Sequence, residues 1–465
     1  MIEYKSYILS KQADEGYNKR KPMRNTVKKQ LLDILQSMAK VHDEINKKIK
    51  KGTMEGVGSL LIECQGAAIQ IGELIEQAEG EGTKTVRILE QYCEELYLLS
   101  LDDANNQSRK VQCKNLQNYL IQTKESIRND LKTQYEVAFF PYKASMWDSL
   151  ESIWKEAEAD SEVETYVVPI PYYELNPDRS FGEMHYEGNL YPNYVQIVPW
   201  EQYCVEERRP DIVFIHNPYD NSNYVTSVHP DFYSSKLKKF TDMLVYIPYF
   251  VGPHDVKEEF CVLPAVIHAN KVVLQSEVVK NTYIRCLDKF IKENNYEKII
   301  VGWKEKFLAL GSPKFDKVLS TREEDCNIPE EWQKLVNDRN EQNKRIIFYN
   351  TSIAALLEED EKMMDKIEFV LEFFKNQEDV LLLWRPHPLS LTTLFAMRPE
   401  LFSRYNGIVE KYKSEKWGIY DDSADINRAI ALSDAYYGDW SSLVPLYQIT
   451  GKPIMIQHVN IMDGE

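Results

Sequence analysis

The chain has 465 residues, and its 73 Asp and Glu outnumber its 56 Lys and Arg, which gives a formal net charge of −17. This balance argues against a general nucleic-acid-binding protein, which usually has a basic surface, so we expect no nucleic-acid partner. Apolar residues make up 43% of the chain and aromatic residues 12%, as is typical of globular rather than disordered proteins. The length suggests about three domains of ~150 residues.

The cysteines and the hydropathy pattern predict a cytoplasmic protein. Seven cysteines are scattered without a CxxC pair, so their spacing indicates neither a disulfide framework nor a structural zinc site. A reducing compartment fits this pattern best. The first residues contain no long apolar segment, and no run approaches ~18 apolar residues, so we expect neither a secretory signal nor a membrane-spanning helix.

Residues 1–133 form the first predicted domain, a small antiparallel bundle of four amphipathic helices. Apolar residues recur at intervals of three and four over residues 24–133, as they do on the buried face of a helix. Two basic clusters lie here, at Lys19, Arg20, Lys21, Arg24, Lys28 and Lys29, and at Lys47, Lys48, Lys50 and Lys51. Such clusters are usually solvated helix ends. The alternative is contact with an anionic membrane at the inner face of the cell, where each basic residue contributes about 1 kcal/mol.

From residue 136 onward, short apolar runs alternate with helical stretches. Near-continuous apolar strands separated by crossovers predict parallel sheets covered on both faces. The strands are predicted at 137–142, 165–173, 194–200, 212–218, 244–250, 271–276, 345–352, 380–388, 434–440 and 452–457, and helices at 146–159, 361–376, 391–404, 423–433 and 441–450. The fold class is therefore α/β, with two Rossmann-like domains at 134–305 and 306–465. We expect a cleft between them, with ligands at the carboxyl ends of the strands.

The strongest local signal is Arg385-Pro386-His387-Pro388, which follows an apolar strand. Two prolines fix the turn and hold a cation and an imidazole where an α/β sheet binds its ligand. Arginine offers a planar fork of donors to phosphate, and histidine can donate to a phosphate oxygen. His387 could instead bond only a loop carbonyl.

A second signal follows the strand that ends at Gly438. Asp439 comes next, and a helix is predicted to open at Ser441 and Ser442. The hydroxyls would lie beside the free N–H groups of a helix start, which suits an anion. Ordinary helix capping is the alternative and is compatible with phosphate binding. Asp439 could orient the serines or His387.

Weaker candidates lie at other strand ends. Ser276 and Glu277 end a strand and begin a helix, and Gly311 and Pro313 form a tight turn. A structural role is as plausible for each. In the first half, His216 follows a strand, with Asp220 four residues on, as in a base and its orienting carboxylate; His254 and Asp255 follow the next strand.

Several established signatures are absent from the sequence. It has no P-loop, no G-x-G-x-x-G fingerprint, no HExxH and no G-x-S-x-G elbow. No D-x-D follows a strand, so neither a bound metal nor another cofactor is expected. Donor charge would then be neutralised by Arg385, His387 and a helix start.

Taken together, these segments resemble the CDP-glycerol glycerophosphotransferase family, the enzymes of teichoic acid assembly, which use the GT-B fold. The resemblance covers about residues 136–460. It depends on the order of FFPYKASMWDSLES, NPYD, VLQSE, GSPKFD, IIFYNTS, RPHP and GDWSS with a later GKP.

The resemblance implies roles for particular residues. His387, with Arg385 beside it, would engage the donor pyrophosphate. Asp439, Ser441 and Ser442 would contact donor phosphate, with Trp440 in place of the family's usual Tyr. The family's Ser-Glu and Gly-x-Pro-x-x-Asp landmarks match Ser276, Glu277, Gly311, Pro313 and Asp316.

One family feature has no match in this chain. The family has a His-Gly-Thr-Pro loop whose His is the proposed base for the acceptor hydroxyl, whereas the corresponding segment here is LVYIPYFVGPHD. The acceptor base is then His216, paired with Asp220, or His254, or the subgroup uses another acceptor.

The function implied by the resemblance is metal-independent transfer of glycerophosphate, or a related alcohol phosphate, from a CDP-linked donor. The expected acceptor is a hydroxyl of a glycan or teichoic-acid-like precursor. The alternatives are a GT-B glycosyltransferase that uses a UDP- or GDP-sugar, a non-catalytic nucleotide-binding relative, and a plain membrane-peripheral module.

Overall fold

The computed structural model describes residues 22–101, 106–252, 256–296, 302–423 and 425–457. The α/β class with parallel sheets, predicted from the sequence, is confirmed. Within the described residues, no helix combines the length and the apolar character that crossing a membrane would require.

Four long helices precede the first long strand, at Asn25–Lys50 (α1), Val57–Glu79 (α2), Lys84–Ser100 (α3) and Asn106–Asn129 (α4). They share one apolar core. On α1 the buried side chains follow the predicted spacing of three and four, at Leu31, Ile34, Leu35 and Met38. A two-residue strand before α1, Met23–Arg24 (β1), pairs in parallel with the start of the next strand, so the helices are joined to the first sheet.

The described members of the first basic cluster make internal contacts. Arg24 forms an ion pair with the buried Glu136 at 2.6 Å. Lys28 Nζ donates to backbone carbonyls at the end of α4, and Lys29 forms ion pairs with Asp242 and Asp211. These charges therefore attach the helices to the first sheet. Lys19, Arg20 and Lys21 lie outside the described residues, and membrane contact stays a prediction for the second cluster.

The first sheet is parallel. Its strands are Thr133–Phe140 (β2), Val163–Val167 (β3), Ile212–Ile215 (β6), Met243–Tyr246 (β8), Lys271–Leu274 (β9) and Phe307–Ala309 (β10). The spatial order is β3-β2-β6-β8-β9-β10, with β1 also beside β2. The strand order therefore reverses between β2 and β6, which is the position where open α/β sheets bind ligands.

A smaller antiparallel sheet is inserted between β3 and β8. It consists of Tyr172–Leu175 (β4), Phe181–His185 (β5) and Thr226–Val228 (β7), in the order β5-β4-β7. This sheet was not predicted from the sequence. The strand predicted at 194–200 is wrong, since Ile197 forms only an isolated bridge to Val167.

The second sheet is parallel too. Its strands are Arg345–Thr351 (β11), Val380–Pro386 (β12), Ile419–Tyr420 (β13), Ala435–Gly438 (β14) and Ile454–Ile456 (β15). The spatial order is β13-β12-β11-β14-β15, so the reversal falls between β11 and β14. One core lies on each face of this sheet.

The helices of this α/β region complete the described fold. They are Glu151–Ala159 (α5), Val205–Arg208 (α6), Ser234–Leu237 (α7), Pro264–His268 (α8), Glu277–Glu293 (α9), Pro313–Ser320 (α10), Glu330–Gln342 (α11), Ile353–Glu358 (α12), Asp360–Lys375 (α13), Ser390–Met397 (α14), Pro399–Glu415 (α15), Ile426–Leu432 (α16) and Leu443–Gln448 (α17). Short 3-10 segments lie at Ala144–Ser149, Gly188–Leu190, Trp200–Gln202, Pro230–Phe232, Glu258–Val262, Trp303–Lys306 and Glu323–Asp325.

Helix α10 connects the two halves. Its Val318 belongs to a core of the second half. Its polar side chains cross to the first half, where Lys314 pairs with Asp148 at 2.5 Å and Lys317 pairs with the buried Glu151 at 3.0 Å. Val251, from the loop after β8, is buried in the same second-half core. The carboxyl edge of the first sheet is therefore turned toward the second half.

Candidate functional site

Three loops meet at the carboxyl edge of the second sheet, where its strand order reverses. The loop after β11 links the other two. Thr351 O accepts the backbone N–H of His387, at the end of β12, at 3.0 Å. The N–H of Ser352 donates to Asp439, after β14, at 2.8 Å. Two of the segments singled out in the sequence are thus brought together by a third.

Gly438 allows β11 and β14 to approach each other at this edge. Its φ of +141° is in a region that favours glycine, and a Cβ built there would lie 2.2 Å from the backbone oxygen of Asn350. The next residue, Asp439, donates its own N–H to the same oxygen at 3.1 Å. Only glycine at 438 permits this contact, which sets the direction of the Asp439 side chain.

Asp439 is held by a buried cation that sequence reasoning missed. Lys366, on α13, is 1% exposed and donates from Nζ to Asp439 Oδ1 at 2.6 Å. It also donates to the backbone oxygen of Gln457 at 3.1 Å. The carboxylate is therefore neutralised from inside the fold, so its charge does not repel a phosphate as an unpaired carboxylate would. One signal was available: Lys366 lies at helical spacing among Met363, Ile367 and Val370.

Ser441 and Ser442 have different environments. The hydroxyl of Ser441 accepts from Asn350 Nδ2 at 3.2 Å and from the Leu443 N–H at 3.3 Å. Ser442 is exposed and makes no side-chain cap to the helix that follows it. Asn350 and Ser352, like Lys366, were not among the predicted site residues. Of the two predicted serines, Ser441 is the one tied to the loops.

His387 is exposed and partly engaged. Its Nδ1 accepts the N–H of Leu389 at 3.2 Å, so in the neutral ring the proton is on Nε2. Among the described residues, Nε2 has no recorded partner. Partial burial and the nearby Arg385 lower the pKa of His387, so the ring is neutral at neutral pH. A neutral Nε2–H that faces solvent is a hydrogen-bond donor for an incoming ligand.

The guanidinium of Arg385 already has hydrogen-bond partners within the fold. The side chain is 5% exposed, pairs with Asp421, and donates to the backbone oxygen of Ser423 at 2.6 Å. Asp421 in turn accepts from Ser423. The expectation that Arg385 offers its guanidinium to phosphate is not favoured by this geometry. Arg385 instead holds the 421–423 loop that follows β13.

At the carboxyl edge of the first sheet, His216 is inaccessible. It is 0% exposed; its Nε2 accepts the Tyr142 N–H at 2.7 Å, and Nδ1 lies 2.8 Å from Ser149 Oγ. Burial, with a contribution from Lys314, lowers its pKa to about 3. A base must have a free nitrogen within reach of its substrate, so the geometry disfavours His216 as the acceptor base. Its environment is that of a structural, neutral histidine.

Asp220 does not orient His216 either. Its carboxylate accepts from the backbone and hydroxyl of Ser234 at 3.0 and 2.7 Å, at the start of α7. Burial raises the pKa of Asp220 to about 6. The predicted base and carboxylate thus make separate contacts. The other candidate base, His254, lies outside the described residues.

The weaker landmarks of the sequence have structural contacts. Ser276 caps α9 by accepting the Val279 N–H at 3.3 Å, and Glu277 pairs with Lys280. Gly311 has a φ of +98° and precedes Ser312, the cap of α10, whose first residue is Pro313. Gly311 and Ser312 line a cavity of about 20 Å³, which is too small for a nucleotide. Among the described residues, no group of three His, Cys, Asp or Glu is placed to hold a metal.

Comparison with known proteins gives no family. No protein-family model matches the chain, and no curated protein matches it. Among solved structures, a UDP-N-acetylglucosamine 2-epimerase described as putative, from Listeria monocytogenes, is 14% identical over 70% of this chain and 81% of its own, with a TM-score of 0.43.

Two further solved structures are similar at the same level. The UDP complex of MnaA from S. aureus is 11% identical over 70% of this chain and 80% of its own, with a TM-score of 0.40. The wall teichoic acid polymerase TagF is 13% identical over 81% of this chain and 79% of its own, with a TM-score of 0.35. At these values the similarities assign neither an activity nor a ligand to this chain.

Proposed function

We propose that the chain is a transferase that binds a CDP-linked alcohol, such as CDP-glycerol, at the carboxyl edge of the second sheet. It moves the alcohol phosphate to a hydroxyl of a glycan or teichoic-acid-like acceptor at the first half. The donor class comes from the resemblance of the RPHP and GDWSS segments to the CDP-glycerol glycerophosphotransferases. The structural observation that supports it is the joining of those segments through the loop after β11.

The donor site would bind pyrophosphate through hydrogen bonds from neutral groups. His387 is an exposed residue whose Nδ1 already accepts, so its Nε2–H is left to donate, and the hydroxyl of Ser441 lies at the same edge. Asp439 would not touch phosphate directly, because both of its carboxylate oxygens already accept, from Lys366 and from the Ser352 N–H. It would instead fix the loop after β11 against the loop that carries Ser441.

The reaction we propose is a displacement at the phosphorus that bears the alcohol. The acceptor oxygen forms a bond to this phosphorus and its proton passes to solvent water, while the bond to the bridging oxygen breaks and CMP leaves with the electron pair. A phosphate monoester has a second pKa near 6, so CMP can leave as the dianion. Charge stabilisation, rather than proton donation, is therefore the main demand on His387.

The test is CMP release by a His387→Ala variant supplied with CDP-glycerol and an acceptor preparation. We expect CMP release to fall at least 100-fold, because a donor placed at developing charge contributes about that much, while the melting temperature is unchanged. His229→Ala, which removes a histidine from the first half, is the control and should retain wild-type turnover.

The donor class needs a separate measurement. Thermal shifts with CDP-glycerol, UDP-N-acetylglucosamine and GDP-mannose should show the largest stabilisation with the CDP-linked donor. Stronger stabilisation by a UDP- or GDP-sugar would replace the proposal with a glycosyltransferase. Binding of CDP-glycerol without turnover on any acceptor would favour a non-catalytic relative.

A further inference from the structure

The second half of the chain has a groove on its surface that the proposed function does not use. It lies between α13 and α15, which pack side by side over one core of the second sheet, and its volume is about 400 Å³. Sites for small molecules measure about 300–1,000 Å³. The floor of the groove is apolar and buried, and consists of Leu371, Ile408 and Tyr412. The groove therefore has the size and the floor of a small-molecule site.

Gly407, in the interior of α15, keeps the groove open. Its φ is not in the left-handed region, and a Cβ built there would have no atom within 4 Å, so neither the backbone nor close packing requires glycine. Glycine lowers the stability of a helix interior relative to alanine. A residue that breaks a local rule without a structural gain is typical of a functional surface. Any larger side chain at position 407 would occupy the groove.

Ion pairs between the two helices lie at both ends of the groove. At one end, Arg404 of α15 pairs with Asp365 and Glu368 of α13, each at 2.6 Å. At the other end, Lys375 of α13 pairs with Glu415 of α15 at 2.9 Å. At a rise of ~1.5 Å per residue, the two pairs are about 16 Å apart along α15. The groove is thus a bounded site whose walls are held by cross-helix contacts.

Between these ends, each wall carries a charged side chain that forms no ion pair with a described residue. Glu372 precedes Lys375 by one turn of α13, and Lys411 precedes Glu415 by one turn of α15, so the two stand at the same level of the groove. Both line it and both are exposed. Glu372 accepts from Asn376 Nδ2 at 3.2 Å but meets no cation. The walls therefore offer one anion and one cation to a ligand on the apolar floor.

We propose that this groove binds an α-amino acid with a large apolar side chain. Its ammonium pairs with Glu372, its carboxylate pairs with Lys411, and its side chain lies on the floor beside Gly407. A ligand with only one charge would meet a like charge on one of the walls, which disfavours it. The proposal is independent of the function proposed above, because no residue that lines the groove belongs to the candidate donor site.

The experiment measures binding of L-phenylalanine to the whole chain at pH 7 by ligand-observed NMR. The wild-type protein should bind L-phenylalanine at least ten times more tightly, about 1.4 kcal/mol, than three analogues. These are N-acetyl-L-phenylalanine, which lacks the ammonium, L-phenylalaninamide, which lacks the carboxylate, and glycine, which lacks the apolar side chain. No binding of L-phenylalanine, or equal binding of all four ligands, would overturn the proposal.

Two variants assign the charged groups. Lys411→Gln should weaken binding of L-phenylalanine at least tenfold but change binding of L-phenylalaninamide less than twofold, because the amide has no carboxylate for Lys411. Glu372→Gln should weaken L-phenylalanine to the same extent and leave N-acetyl-L-phenylalanine within twofold. A variant that weakens L-phenylalanine and the matching analogue equally would contradict the proposed contacts.

Gly407→Leu tests the groove itself. The new side chain has room in the folded protein, so the melting temperature should not fall, whereas binding of L-phenylalanine should be lost. Gly66→Leu is the matched control, because Gly66 is in the interior of α2 and a Cβ built there also has no atom within 4 Å. This control should bind as the wild type does. Wild-type binding by Gly407→Leu, or an equal loss in Gly66→Leu, would overturn the site.

Discussion

The two sheet edges are built from different chemistry. At the second sheet, buried charges are paired and fix the loops, as Lys366 does with Asp439 and Arg385 with Asp421. At the first sheet, the described part of the edge packs Tyr249 against the buried His216, and the partly buried Lys143 lies over the rings of Tyr142 and Tyr172. Two parallel sheets in one chain therefore have different surfaces at the same topological position.

The comparison is sharpest between His216 and His387, which both follow a strand at a sheet edge. His216 has both ring nitrogens engaged and no exposure. His387 has one nitrogen engaged and faces solvent. A strand-end position thus does not make a histidine reactive; what matters is whether a nitrogen remains available to a ligand.

The largest effect we expect comes from breaking the buried pair at the second edge. Lys366→Met leaves Asp439 buried without its cation, and removing one member of such a pair costs about 3–5 kcal/mol. The free energy of unfolding, from urea denaturation followed by tryptophan fluorescence, should fall by this amount.

Lys375→Met, on the same helix, is the matched control. Lys375 pairs with Glu415 at 2.9 Å, but both side chains are about a third exposed, and such pairs contribute about 0–1 kcal/mol. A similar loss in the two variants would contradict the special role of the buried pair.

A middle-sized effect should follow His216→Gln at the first edge. Glutamine can accept from the Tyr142 N–H, but it cannot also replace the contact with Ser149. Leaving a buried group unsatisfied costs about 1–3 kcal/mol. Because the affected edge is not the donor site, the affinity for CDP-glycerol should stay within twofold of wild type in a titration. A large loss of donor affinity with unchanged stability would argue against the structural role of His216.

The same variant should change the pH dependence of stability. The pKa of His216 is about 3 in the folded protein, against an ordinary 6.5, so the unfolded chain binds a proton that the folded protein excludes. This stabilisation is complete above about pH 6.5 and is lost as the pH falls toward 3. Urea titrations between pH 7 and 4 should give a flatter profile for His216→Gln than for wild type. Parallel profiles would show that His216 does not supply this dependence.

Much of the architecture was predictable because parallel strands and long helices follow regular patterns. Strands β2, β6, β11 and β12 lie within or beside apolar runs that the sequence displays. The small antiparallel sheet was missed because Glu174, Phe181 and Met184 are exposed, so its strands show no clean apolar alternation. The segment at 194–200 was wrongly predicted to be a strand because it is rich in apolar residues. Its Val195 and Val198 do pack into cores, but the segment forms no strand.

The candidate site was predictable only in its location. The segments with His387 and Asp439 were placed correctly at one sheet edge, because strand ends converge there by topology. Arg385 was expected to bind phosphate, but Asp421, 36 positions away in the chain, already pairs with its guanidinium. The partner of Lys366, Asp439, is 73 positions away, so the pairing could not be predicted even though the place of a lysine among apolar helix positions was a signal. Asn350 was missed because its bond to Ser441 joins residues 91 positions apart.

The smallest effect we expect separates two neighbouring serines at the second edge. Ser441 bonds the Asn350 side chain at 3.2 Å, whereas Ser442 is exposed and makes no cap. If Ser441 also contacts donor phosphate, Ser441→Ala removes one hydrogen bond, about 1 kcal/mol, and should weaken CDP-glycerol binding about fivefold in calorimetry. Ser442→Ala should change it less than twofold. Equal losses of affinity in the two variants would mean that the donor also contacts the exposed Ser442. A loss of affinity only in Ser441→Ala would place the donor phosphates where the loops after β11 and β14 meet.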